Sequence, residues 1–172
     1  MNDKRHIQTF TGRRFTPYSP RVEDIAIEDI AHHLAARNRF SGATRVPYSV
    51  AEHCIRGATQ CSHHNRLWFL LHDADEAYLP DVPTPLKGPR EHYASDRLLR
   101  AVAERFGLPW PIPAEVHEVD RRMLATERRD LMAKVDWWCD TAEPFDWRIE
   151  FIARPEEAER TYLEKFRAYS WR

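Results

Sequence analysis

The chain has 172 residues, enough for one domain with a substantial core and too few for two. Its 26 Lys and Arg stand against 27 Asp and Glu, which excludes the strongly basic surface of a general nucleic-acid binder. There is no secretory signal and no apolar run of about 18 residues, so a soluble, cytoplasmic protein independent of membranes is expected. The three cysteines, Cys54, Cys61 and Cys139, are odd in number and lack CxxC spacing; reduced thiols are expected rather than a disulfide framework.

Residues 1–20 read as an N-terminal extension, with Ile7 to Phe15 as a short hairpin on the domain edge turning at Thr11-Gly12. The main domain, 21–172, begins with a helix near Glu23 or Asp24. Ile27, Ile30, Ala31 and Leu34 fall at i, i+3, i+4 and i+7, an amphipathic stripe that runs to about Asn38. A loop rich in Arg and small residues, Arg39 to Tyr48, follows. Ser49-Val50-Ala51-Glu52 matches a capping box and opens a helix to about Ser62, with His53 in its first turn.

Asn65 caps the next helix, which is expected to hold Leu67 to Ala77 without a break. Five apolar residues there run straight into His72-Asp73, with Glu76 three positions on. Helical spacing puts His72, Asp73 and Glu76 on one side. Three prolines in the six residues from Pro80 to Pro85 forbid helix. A longer helix carries Leu98, Leu99, Val102 and Phe106 inward and stops at Gly107. Ala114 to about Lys134 is helical, with Val116, Val119, Met123, Leu124 and Leu131 apolar and Asp120 on or beside that face. Asp136 to Trp147 reads as an irregular or partly helical lid, and a last helix begins at Pro155, with Tyr162, Phe166 and Tyr169 facing the core. The architecture is therefore all-α, a bundle of about six helices.

A buried helix that carries an imidazole and several carboxylates is costly unless they are neutralised. His53, His72, Asp73 and Asp120 come from three successive major helices and form a donor set suited to one divalent cation (Zn, Co, Mn, Ni, Fe or Mg). Glu76 is placed to move a proton beside it. Spacing alone is equally compatible with carboxylates paired for structural reasons. His63-His64 is expected in solvent, His92 and His117 on the surface or in structural roles, and Arg121, Arg122, Arg128 and Arg129 on an exposed helix face or subunit contact. Trp137, Trp138 and Trp147 can fill core or cover a pocket or interface.

The order His53, His72-Asp73, Asp120 resembles the signature of the HD superfamily of metal-dependent phosphohydrolases. It is most similar to the branch of bacterial 5′-deoxynucleotidases and small phage dATP triphosphohydrolases. Tyr48 to His53 resembles the segment (V/Y)-S-x-(A/S)-(E/Q)-H, Leu71 to Glu76 the H-D-A-x-E helix, and Asp81 to Lys87 the loop D-x-P-T-P-x-K. Val119-Asp120 resembles the A-D ending, and the likeness spans about residues 20–135.

The resemblance implies an HD-type bundle in which His53, His72, Asp73 and Asp120 hold the metal and Glu76 is the acid/base. Asp81 would position water or sugar and Arg39 orient the phosphate, with Phe40 near the nucleoside. Val82, Pro83 and Thr84 would line the sugar. Lys87 is read equally as a lysine that reaches a substrate phosphate and as a surface lysine. His53 would also border the substrate, a small-molecule nucleotide, in a homo-oligomer. Phe40 replaces a frequent Trp, and Gly42 and Ala43 are small, so strict adenine selection is not implied. The expected activity is a 5′-deoxynucleotidase. The alternatives are a dNTP triphosphohydrolase and a non-catalytic nucleotide-sensing module.

Overall fold

The computed structural model describes residues 5–80, 82–83, 86–138 and 142–170. Cys139, Asp81, Thr84 and Pro85 lie outside them. Among the described residues the protein is an all-α bundle with one small hairpin. The hairpin pairs β1 (Ile7–Gln8) with β2 (Arg14–Phe15), antiparallel, with Ile7 opposite Phe15. The helices are α1 (Ile27–Ala36), α2 (Val50–Ala58), α3 (Arg66–Leu71), α4 (Pro89–Phe106), α5 (Ala114–Leu131) and α6 (Pro155–Ser170). Among the described residues no helix is long and apolar enough to cross a membrane.

The apolar stripes fold as their spacing dictates. Ile30, Ala31 and Leu34 of α1 are fully buried, as are Leu98 and Val102 of α4, Val116 and Met123 of α5 and Tyr162 of α6. α6 packs on α1, α2 and α3, and the Tyr162 hydroxyl donates to the Leu70 carbonyl. α2 and α3 approach closely at Gly57, where an added Cβ would stand 2.1 Å from Phe69 Cε1. α4 ends on Gly107 in the left-handed region at φ 65°, which relieves the Cβ penalty of that turn.

Three local expectations change. The helix expected near Glu23 begins at Ile27, after a separate 3₁₀ turn at Val22–Asp24. The hairpin is not an edge ornament: Phe15 is fully buried in the main core and stacks on Tyr78 with ring centroids 4.0 Å apart. Its turn is tied to α1 by Thr11, whose backbone N–H and hydroxyl both donate to the buried Asp29 carboxylate, at 2.7 and 3.0 Å. Asn65 precedes α3 but its side chain makes no capping bond: its backbone lies in the right-handed helical region rather than the extended one an N-cap uses, and its amide N–H donates to Glu115 on α5.

The arginines expected on an open face of α5 are largely engaged. Arg122 donates to the Glu143 carbonyl and lies over the Phe145 ring, and Arg128 lies over Trp138. Arg129 donates to the carbonyls of Phe145 and Trp147. These guanidiniums hold the irregular segment after α5 against the bundle, satisfying carbonyls that have no helical partner.

Candidate metal centre

α2 sets the first ligand. Ser49 Oγ accepts from the Glu52 backbone N–H at 3.1 Å and fixes the start of the helix. Glu52 does not close the reciprocal half of the capping box; its carboxylate accepts from Arg56 and from the Ala153 N–H. One residue on, His53 is fully buried, and its Nδ1 lies 2.7 Å from Glu127 Oε1 on α5. A carboxylate there makes Nδ1 the protonated nitrogen, so neutral His53 presents the Nε2 lone pair.

The second ligand depends on a helix end rather than on a continuous helix. α3 stops at Leu71, His72 and Asp73 form a turn, and a 3₁₀ turn occupies Ala74–Ala77. The Phe69 carbonyl explains the break. It accepts from the His72 ring Nδ1–H at 2.6 Å and, more weakly, from the His72 backbone N–H at 3.4 Å. Neutral His72 therefore also presents its Nε2 lone pair.

The two Nε2 atoms face each other at 3.3 Å. Two lone pairs at that separation repel unless a cation lies between or beside them. Asp73 brings Oδ1 to 3.3 Å from His72 Nε2 and Oδ2 to 3.7 Å from His53 Nε2. Asp120 Oδ1 comes within 3.3 Å of His53 Nε2 and 3.7 Å of His72 Nε2. The His53, His72 and Asp73 donor atoms form a cluster that could hold a metal ion, and Asp120 adds a fourth donor. Two imidazoles and two carboxylates fit a borderline divalent cation.

The electrostatics agree with that fit. Burial pushes the His72 imidazole down, but Asp73 and the contacts with Asp120 and Cys54 outweigh it and hold its pKa well above the usual histidine value. For His53, burial and Arg39 act downward, while Glu127 and Asp120 raise it overall. Burial acts upward on Asp120, yet the two imidazoles hold it well below the carboxylate range. The centre thus favours positive charge on its nitrogens, the charge a bound cation would provide.

Arg39 completes the group. Its Nε donates to Glu127 Oε2 at 3.0 Å, and its Nη1 reaches Asp73 Oδ2 at 3.4 Å. The turn Arg39–Gly42 that carries it is strained: Phe40 and Ser41 have φ values of 53° and 50°, a region such residues enter at a cost of about 1–3 kcal/mol each. Hydrogen bonds hold it there, from the Arg39 N–H to the Tyr48 carbonyl at 2.8 Å and from the Arg45 N–H to the Leu131 carbonyl at 2.9 Å.

No family model matches the chain. It is similar to the uncharacterized protein YfdR of Escherichia coli (strain K12), with 38% identity over 127 residues that cover 73% of this chain and 71% of that protein. The chain belongs to the YfdR family. It is also 42% identical over 118 residues to the uncharacterized protein RCAP_rcc00048 of Rhodobacter capsulatus, covering 62% of this chain and 60% of that one. Neither name carries an activity, so the chemistry of this YfdR-family chain is argued from its own site.

The remaining expected residues fall in two places. Phe40 is half-buried beneath the Arg39 guanidinium, 5.4 Å from its ring centroid. Glu76, Val82 and Lys87 line a small cavity with Asp75 and Ser95, while Pro83 is exposed. Burial, then Asp73 and Asp75, push Glu76 up to about 7. Asp81 and Thr84, expected beside the sugar, are outside the described residues. His63, His64, His92 and His117 are exposed.

Sequence reasoning missed Glu127. It is fully buried and contacts both His53 and Arg39. A signal was present: Glu127 lies two turns after Asp120 and one turn after Met123, a carboxylate within the apolar stripe of α5.

Proposed function

We propose that this YfdR-family chain is an HD-superfamily phosphohydrolase that uses a divalent metal to hydrolyse the 5′-phosphate ester of (2′-deoxy)nucleotides, releasing nucleoside and phosphate. One observation carries the reading: the Arg39 guanidinium lies 3.4 Å from Asp73 at the edge of the His53–His72–Asp73 cluster. A cation site beside a permanently charged, planar donor is complementary to a phosphoryl group. The match to the HD motifs at the same residues supports it.

His53, His72, Asp73 and Asp120 would hold the ion. When bound, a divalent metal supplies Lewis acidity and lowers the pKa of water. Arg39 would orient the phosphate oxygens, with its Nε fixed on Glu127. Hydrolysis forms one P–O bond from water and breaks the P–O5′ bond, and the departing oxygen gains a proton. Glu76, raised to about 7, suits a group that takes and returns that proton near neutral pH. Phe40, Val82 and Pro83 would border the nucleoside, and Asp81 and Thr84 take their proposed roles from the resemblance alone.

Monophosphate is favoured over triphosphate by where the other cations are engaged. Arg45 donates to the Met132 carbonyl and Arg13 to the Glu23 carbonyl; Lys87, which lines the Glu76 cavity, and Arg14 on β2 are the remaining candidates for extra phosphate charge. A cytoplasmic location and homo-oligomeric assembly belong to the same proposal. The exposed side chains of Trp137 and Phe151 are compatible with such assembly.

The test is incubation of the purified protein with each dNMP and dNTP in the presence of Co²⁺, Mn²⁺ or Zn²⁺, with identification of the released species. Phosphate from dNMPs is expected. Triphosphate from dNTPs would move the assignment to a triphosphohydrolase, and metal uptake with no release would favour the sensing module. Arg39→Ala should raise KM for the nucleotide by at least about tenfold while metal uptake is retained; unchanged kinetics would remove Arg39 from the phosphate site.

A further inference from the structure

We infer that Glu127 is a positioning residue that joins the metal half of the site to its phosphate half, so that one buried carboxylate sets both affinities. The inference rests on the metal reading above and goes beyond it, because Glu127 touches neither the proposed metal nor the substrate.

The two carboxylate oxygens are divided between two tasks. Oε1 accepts from His53 Nδ1 at 2.7 Å, which fixes the tautomer and aims Nε2 at Asp73, Asp120 and His72. Oε2 accepts from Arg39 Nε at 3.0 Å. Glu127 and His53 are fully buried and Arg39 is 15% exposed at its side chain, so water does not compete for these bonds and the full charge acts on both partners. Burial pushes the Glu127 carboxyl up, but Arg39 and His53 prevail and keep it below the usual range.

Binding through Nε leaves the terminal nitrogens of Arg39 directed elsewhere. The contact of Nη1 with Asp73 is long, at 3.4 Å, weak by hydrogen-bond criteria, and replaceable by a phosphate oxygen. The Glu127 contact is the anchor and the Asp73 contact is the exchangeable one. Both ends of the arrangement are secured, since Arg45 on the Arg39 loop donates from its backbone to Leu131 and from its guanidinium to Met132, at the end of the helix that carries Glu127. That helix also supplies Asp120, so α5 provides a ligand and, two turns on, the group that aims another ligand.

The arrangement predicts different consequences for the two partners of the Glu127–Arg39 pair. Removing Arg39 leaves His53 on its carboxylate and gives up only the long 3.4 Å contact to a metal ligand, so phosphate affinity falls far more than metal affinity. Removing the Glu127 charge loosens both His53 and Arg39, so metal and phosphate affinity fall together. Such outer contacts to metal-bound histidines are typically worth about 10–100-fold in affinity.

The experiment uses full-length protein and two probes, Co²⁺ and inorganic phosphate, measured by calorimetry and by the visible spectrum of the bound Co²⁺. For Glu127→Gln the expected result is Co²⁺ affinity lower by about 10–100-fold, a shifted Co²⁺ spectrum, and phosphate affinity lower by at least about fivefold at Co²⁺ saturation. Arg39→Ala should lose phosphate affinity with its Co²⁺ spectrum unchanged. Because Glu127→Gln strands the Arg39 charge, the charge-balanced pair Arg39→Met with Glu127→Gln carries the test if the single variant does not fold, and it should retain the Co²⁺ loss. Co²⁺ and phosphate affinities of Glu127→Gln within twofold of wild type, with His72→Ala abolishing Co²⁺ binding as the separate control, would overturn the role of Glu127 and leave the metal reading standing. Wild type that binds no Co²⁺ would overturn both.

Discussion

Helix α5 carries two acidic clusters of opposite character. At its C-terminal end Asp130 is saturated. Arg129 Nε and Nη2 donate to its two oxygens at 2.7 and 2.9 Å, Arg148 Nη1 donates at 2.7 Å, and the Ile149 backbone N–H at 3.0 Å. Toward its N-terminus, Glu127 less than one turn and Asp120 nearly three turns away join Asp73 and Glu76 around one guanidinium, Arg39, and two imidazoles whose lone pairs face each other. The first cluster has every acceptor met and ties Arg148 and Ile149 to the end of α5. The second is short of positive charge, and its geometry converges on a point. A satisfied carboxylate builds structure, whereas a convergent and under-neutralised set is one that can take up a cation.

The largest expected effect breaks this contrast at its centre. Asp73→Ala should reduce hydrolysis to background and abolish the response of stability to metal. In wild type, divalent ion at a hundredfold excess over its Kd should stabilise the fold by about 2.7 kcal/mol, an upward Tm shift of roughly 5–11 °C for a chain of this size. Differential scanning calorimetry with and without Co²⁺ reads both numbers. An undiminished shift in Asp73→Ala would mean that the ion binds elsewhere.

Glu76→Gln sharpens the comparison by separating chemistry from binding. Turnover should fall by about 10²–10⁴-fold, the usual contribution of a positioned acid or base, while the metal-induced Tm shift persists. Steady-state kinetics beside calorimetry on one preparation makes the measurement, and retained turnover would reject the assignment.

What could be read from the sequence was periodicity and capping. The stripe of α1, Ser49 as the cap of α2 and Gly107 as the stop of α4 are each set by residues a few positions apart, and each stands as expected. His53, His72 and Asp73 were likewise visible, because their chemistry is conspicuous on apolar helices. The break after Leu71 was not visible. It depends on the His72 ring taking the Phe69 carbonyl, and the residues from Leu67 to Ala77 contain neither proline nor glycine to mark a stop. The role of Glu127 was hidden for a different reason. Its partners lie 74 and 88 residues away, and a glutamate in a helix followed by two arginines reads as surface until the packing of α5 on α2 is known. The same distance effect concealed Arg122, Arg128 and Arg129, whose partners on the irregular segment are fixed by tertiary packing and not by helical spacing.

The smallest effect lies at the saturated cluster and concerns stability alone. The Asp130 carboxyl is pushed up by burial, but Arg129, the Ile149 N–H and Arg148 outweigh this and hold it well below the usual carboxylate range. A carboxyl whose folded-state pKa is depressed contributes stability in full above its unfolded value of about 3.9, and loses it as pH falls from there through the folded value. Asp130→Asn should therefore cost about 2 kcal/mol at pH 7, in the range for hydrogen bonds to a charged group, and urea unfolding at pH 7 should show it. Between pH 4 and pH 2 the wild type should lose this increment and approach the variant. Hydrolysis and the Co²⁺ response at pH 7 should be unaffected, since no metal donor or Arg39 contact involves Asp130. A stability gap that stayed constant down to pH 2 would show that Asp130 acts through shape rather than charge, and the contrast between the two ends of α5 would then no longer be electrostatic.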